Sequence, residues 1–187
     1  HRGGPGVSPP RAQVDGSRPS YKYLTAVSAL TPDDVWAVGV IWIDDGSRTL
    51  IQHFDGTRWT RFPSPNPSDY NDVYDVVAIA PDDVWAVGAG FDEGLSAYRT
   101  VIEHWNGAGW SIIPSPNASS GYNLLNGVAV AGPNDIWAVG QAANGGNTYS
   151  TLMTSTDAQG KAWGYLASEE QYRAVQDLQN RNLIVPV

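Results

Sequence analysis

Cysteine is absent from this chain of 187 residues. That absence removes disulfides, thiolate metal sites and cysteine nucleophiles in one step. Lysine is nearly absent too, with Lys22 and Lys161 alone, and 11 basic residues stand against 19 acidic ones for a formal charge of -8. Such a field repels phosphate backbones, so no nucleic-acid partner is expected. No apolar run approaches the roughly 18 residues that a membrane-spanning helix needs, so no transmembrane segment is expected either. Charged residues make up only 16%, whereas glycine (20) and proline (13) are plentiful and 42% of the chain is hydrophobic. That balance describes many short strands joined by turns rather than helices. The first residue is His1 rather than methionine. The expectation is an excised piece or a processed, secreted chain whose signal peptide is gone.

What is present is a repeat. Asp34-Val35-Trp36-Ala37-Val38-Gly39 returns as Asp83-Val84-Trp85-Ala86-Val87-Gly88 and again as Asp135-Ile136-Trp137-Ala138-Val139-Gly140. The tryptophans are 49 and then 52 residues apart, a period that marks stacked supersecondary units such as propeller blades. The fold class expected is all-β, with three four-stranded antiparallel blades. Blade 1 covers residues 21–67, blade 2 residues 68–118 and blade 3 residues 119–167, flanked by an extended arm (1–20) and a C-terminal segment (168–187).

In blade 1 the strands are read as Tyr23 to Leu30, Val35 to Ile43, Thr49 to Phe54 and Trp59 to Pro63, with Asp55-Gly56 as a two-residue hairpin turn. Blade 2 repeats the order with Tyr74 to Ala80, Val84 to Gly90, Thr100 to Trp105 and Trp110 to Pro114. Blade 3 does so with Gly127 to Ala131, Ile136 to Gln141, Thr151 to Thr156 and Ala162 to Ala167. The arm carries Pro9 and Pro10 and has no apolar periodicity. Beyond Ala167 the period breaks: Ser168 to Gln171 fits a capping box that predicts a short helix, and Leu183, Ile184 and Val185 read as a terminal strand.

These repeats resemble a family of bacterial secreted or cell-surface β-propeller proteins. The motifs that carry the resemblance are the three Trp-Ala-Val-Gly copies, Asn123-Leu124-Leu125-Asn126-Gly127-Val128, His104-Trp105-Asn106-Gly107-Ala108-Gly109-Trp110, and Ser64-Pro65-Asn66 with Ser115-Pro116-Asn117. The resemblance spans about residues 21 to 164 and implies four-stranded blades at an extracellular or cell-surface location. It brings no common activity with it.

A residue present in every unit serves the unit. Trp36, Trp85 and Trp137, with Trp59, Trp110 and Trp163 behind them, are therefore expected as blade core. Gly39, Gly88 and Gly140 are read as ending the Trp-Ala-Val-Gly stretches, where a side chain would crowd the centre or a sharp bend is needed. Asp34, Asp83 and Asp135 could ring a propeller axis, but each follows a turn, where a short carboxylate accepts backbone N–H groups. His53 and His104 match, yet Ser155 replaces them in the third unit, and two histidines on separate blades do not make a metal site. No nucleophile elbow, phosphate loop or spaced acid pair appears, so no enzyme and no catalytic residue are expected.

The units differ in their second loops. Trp42, Asp44, Asp45, Asp92, Glu93, Tyr98 and Tyr149 gather there, rings beside carboxylates, a chemistry that suits sugars or a calcium ion. Asn117 opens a glycosylation sequon, Asn117-Ala118-Ser119. Three blades fall short of the about 4 to 8 that close a propeller. The expectation is a non-enzymatic module that self-associates through open blade faces and terminal segments, as a closed oligomer or a filament. The alternative is a lectin-like propeller whose partners are glycans or other surface proteins.

Overall fold

A computed structural model describes residues 21–115, 117–132, 135–143, 149–156 and 162–167, the last two stretches by backbone alone. Alternating Val, Ile and aromatic residues favour extended chain, and among the described residues the secondary structure is all strand. Sheet 1 consists of β1 (Lys22–Thr31), β2 (Asp34–Ile43), β3 (Gly46–Phe54) and β4 (Trp59–Phe62). Sheet 2 has β5 (Tyr70–Ala80), β6 (Asp83–Asp92), β7 (Ala97–Trp105) and β8 (Trp110–Ile112). Sheet 3 has β9 (Tyr122–Gly132), β10 (Asp135–Ala143), β11 (Tyr149–Thr156) and β12 (Ala162–Ala167). Each sheet is a four-stranded antiparallel meander in chain order. No helix among the described residues is long and apolar enough to cross a membrane.

The sheets stack face to face, with sheet 2 in the middle. Strand alternation sends Trp36, Val38 and Ile51 of sheet 1 to one face, where they pack against Val73, Val76, Trp105 and Trp110 of sheet 2. One repeat later, Trp85, Val87 and Ile102 meet Leu125, Ile136 and Ala138 of sheet 3. Each sheet therefore has a leading face toward the preceding sheet and a trailing face toward the next. The Trp36 ring lies 5.4 Å from that of Trp105 and 5.5 Å from that of Trp110. Such ring pairs contribute about 0.5–1.5 kcal/mol each beyond area burial. The first strands are also tied across the stack: Thr25 Oγ1 donates to the Val73 carbonyl at 2.7 Å, and Val128 N donates to Asp75 Oδ2 at 2.8 Å.

Three expectations are corrected. Pairing runs past Gly39, Gly88 and Gly140, which sit inside their strands opposite bulges in β1, β5 and β9. A Cβ on Gly88 would lie 1.9 Å from the Asp72 carbonyl oxygen, so close backbone approach, and not the end of a stretch, demands glycine. The second loops are short turns at 44–45 and 93–96, which places Trp42, Asp92, Tyr98 and Tyr149 on strands rather than on loop tips. The Asp55-Gly56 hairpin has a four-residue loop, 55–58, and not a two-residue turn. Asp55 Oδ1 accepts from Thr57 N and Arg58 N, so only Gly56 needs positive φ, at 83°. The arm with Pro9 and Pro10, the helix expected from Ser168, and the segment Leu183, Ile184 and Val185 lie outside the described residues.

Candidate functional site

The repeated aspartates hold the third strand. Asp34 Oδ1 lies 2.7 Å from His53 Nε2, and Asp83 Oδ1 lies 2.8 Å from His104 Nε2. Each histidine ring packs on the repeat tryptophan opposite it in register, with centroids 4.4 Å apart for Trp36–His53 and 4.2 Å for Trp85–His104. Asp83 also accepts from Trp85 Nε1 at 2.7 Å. These carboxylates thus engage histidine across the sheet, where the sequence suggested the backbone of the turn. In sheet 3 the register partner of Trp137 is Ser155, and among the described residues Asp135 Oδ1 is buried without a hydrogen-bond partner. The Asp-His pairs sit on separate sheets, and among the described residues no three histidine or carboxylate side chains come together to hold a metal ion.

The linkers are pinned by a second repeated device. Asn66 Oδ1 accepts from Thr49 N and Asn117 Oδ1 from Thr100 N, both at 2.9 Å, while Ser64 and Ser115 bond the hydroxyls of the same threonines. Asn117 is exposed, but the serine of its sequon is not: Ser119 Oγ is buried and donates to the Ala143 carbonyl at 2.5 Å. Asn71 and Asn123, both fully buried, fold back on the backbone of Ser68 and Ser119. The pairs Ser68/Asn71 and Ser119/Asn123 were in the sequence at almost matching offsets.

The two ends of the stack carry apolar side chains in water. Leu24, Val73 and Leu125 all pair with the repeat glycine, yet Leu24 is 51% exposed and the other two 0%. Val27 is 65% exposed where its counterpart Val76 is 5%. Trp59, opposite Phe54, is 49% exposed, whereas Trp110, opposite Trp105, is 8%. Trp59 is therefore not core here, because among the described residues no preceding sheet covers the leading face of sheet 1. At the other end Val139 is 44% exposed against 0% for Val38 and 1% for Val87, and Trp137 is half-buried. Trp163 pairs with Ser155, the register position of Thr60 and Ser111, one place away from that of Trp59 and Trp110.

On sheet 2, at the end away from the Asp-His pairs, a cleft of about 250 Å³ is lined by Tyr70, Phe91 and Tyr98, with Asp72 and Glu93, and by Trp42 from sheet 1. Of the ligand-binding candidates, Trp42, Glu93 and Tyr98 meet here. Asp44 and Asp45 are exposed in the adjoining turn, and Asp92 fixes its own turn through Leu95 N at 3.0 Å. Tyr149 starts β11 opposite Ala143. Tyr70 and Asp72 were not anticipated, because they lie in the first strand of the unit, away from the segments that differ between units. Burial pushes the Asp72 carboxyl above its ordinary range, although Ser47 Oγ donates to it at 2.9 Å.

Together these features define an all-β repeat protein of stacked antiparallel sheets. Models of known protein families give no match to the chain, and no curated protein matches it either.

Proposed function

We propose that the chain is a non-enzymatic, self-associating module of the extracellular space or cell surface, built from three blades of an open β-propeller. The leading face of blade 1 in one copy takes the trailing face of blade 3 in a second copy. The observation that carries this reading is the contrast between repeats: Leu24 and Val139 are exposed at the ends, whereas their counterparts Val73, Leu125, Val38 and Val87 are buried at the internal junctions. Leu24, Val27 and Trp59 offer one apolar half, and Val139 beside Trp137 the other. A junction of this kind is already built twice within the chain, so the end faces have a geometry to copy. Exposed apolar patches of this sort mark interaction surfaces. Because the two faces differ, the contact is heterologous: two copies close a ring of six blades, or successive copies build a filament.

Light scattering and electron microscopy on one purified sample test it. Dimers or regular fibres are expected, and Val27→Asp should dissociate them while leaving the melting temperature of the monomer nearly unchanged, since the side chain is already in water. A compact monomer at every accessible concentration would overturn the reading.

A further inference from the structure

The cleft formed by sheet 2 and Trp42 has a chemistry of its own. Its aromatic wall is continuous: ring centroids are 6.0 Å apart for Trp42–Tyr70, 6.1 Å for Tyr70–Phe91 and 4.9 Å for Phe91–Tyr98. Successive rings are inclined by 55°, 63° and 52°. Rings so inclined do not form the flat platform on which a sugar ring stacks. The charged lining is acidic only, Asp72 from β5 and Glu93 from the turn after β6. Arg48, on the neighbouring strand, has its guanidinium on the carbonyl oxygens of Ser47 and Asp69, both at 2.9 Å. The negative faces of aromatic rings attract cations, most strongly where water is partly excluded. A protein of formal charge -8 adds long-range attraction of the same sign.

We propose that this cleft binds an organic ammonium group, caged by Trp42, Tyr70, Phe91 and Tyr98 and charge-paired by Asp72 and Glu93. The site lies within one chain, so it does not depend on the assembly proposed above. An alkylammonium suits it better than a metal ion, because carbon-bound hydrogens meet the rings while the diffuse charge needs no close oxygen shell. The small volume fits a head group and not a whole drug-sized ligand.

The test is calorimetry with tetramethylammonium chloride as the head group alone, then with choline and with a trimethyllysine peptide to separate a free metabolite from a modified chain. Two controls decide the chemistry: 3,3-dimethylbutanol, the uncharged shape of choline, and a neutral disaccharide. Saturable binding of the ammonium probes is expected, with the uncharged analogue at least about tenfold weaker. Trp42→Ala should weaken binding about fivefold to tenfold, and Trp42→Phe should restore part of it. Trp42 is already 37% exposed, so its truncation leaves the fold intact, which an unchanged melting temperature checks. Asp72→Asn should weaken the ammonium probes and leave the uncharged analogue unaffected. No binding of tetramethylammonium, equal binding of the uncharged analogue, or preference for the disaccharide would each overturn the proposal.

Discussion

Glu103 is the residue least at home in its surroundings. It sits on β7, fully buried, facing the junction with sheet 1, and among the described residues its carboxylate meets only the Ser64 hydroxyl, outside good hydrogen-bond geometry. Burial pushes its carboxyl up to about 8 from an ordinary 4.5, and Ser64 alongside offsets little, its hydroxyl being shared with Thr49. Between these two values the unfolded chain releases the proton while the folded chain keeps it. Stability attached to this group is therefore complete below about pH 4.5 and is lost as pH rises through about 8. Asp72, also raised by burial, acts with the same sign. Glu103→Gln keeps the shape and removes the charge, so it should flatten this part of the profile. At pH 8 the gain expected is on the order of 3 kcal/mol, shrinking toward zero in acid. Urea unfolding of both chains at pH 5 and pH 8 measures it, and parallel profiles would show that Glu103 is solvated. Gln52, which holds the same register position on the open face of sheet 1, is what an uncharged version looks like.

At the scale of the element, the repeat glycine and the bulge opposite it are one unit. Val73 and Asp75 flank the bulge in β5, and Gly88 lets the Asp72 carbonyl come in against β6. Gly88→Ala should cost on the order of 3 kcal/mol, since the clashing atom is backbone and cannot rotate away. Gly109→Ala, where an added Cβ meets nothing within 4 Å, should stay within about 0.5 kcal/mol of the parent in the same denaturation experiment. Existence, type and order of the strands were legible in the sequence, because Trp-Ala-Val-Gly and its neighbours repeat in both residue and spacing. The bulges were not legible: Gly39, Gly88 and Gly140 stand in strands whose ranges could be read from the sequence, but the shifted register opposite them could not. The aspartates misled for a related reason. Position after a turn suggested a cap, and only the cross-strand register of Trp36 with His53 shows where the carboxylate finds its partner. The cleft was half visible, since Trp42, Glu93 and Tyr98 stand in segments that differ between units. Tyr70 comes from a strand that looks like ordinary scaffold.

At the scale of the whole molecule the question is how the two end faces are used, and the repeat itself supplies the discriminating experiment. If a leading face docks on a trailing face, a charge placed on one leaves the other intact. Val27→Asp disables the leading face and Val139→Asp the trailing one, at positions 65% and 44% exposed in the single chain. Burying either carboxylate in a new junction without a partner is strongly unfavourable. Each variant alone should therefore remain monomeric. An equimolar mixture still contains one good junction, the trailing face of the Val27→Asp chain on the leading face of the Val139→Asp chain. It should form a one-to-one heterodimer and stop there, because both outer faces of that dimer are blocked. Light scattering on the separate and mixed samples reads this directly. An isologous contact, leading face on leading face, predicts the opposite: Val139→Asp would associate like the parent, Val27→Asp would not, and mixing would rescue nothing.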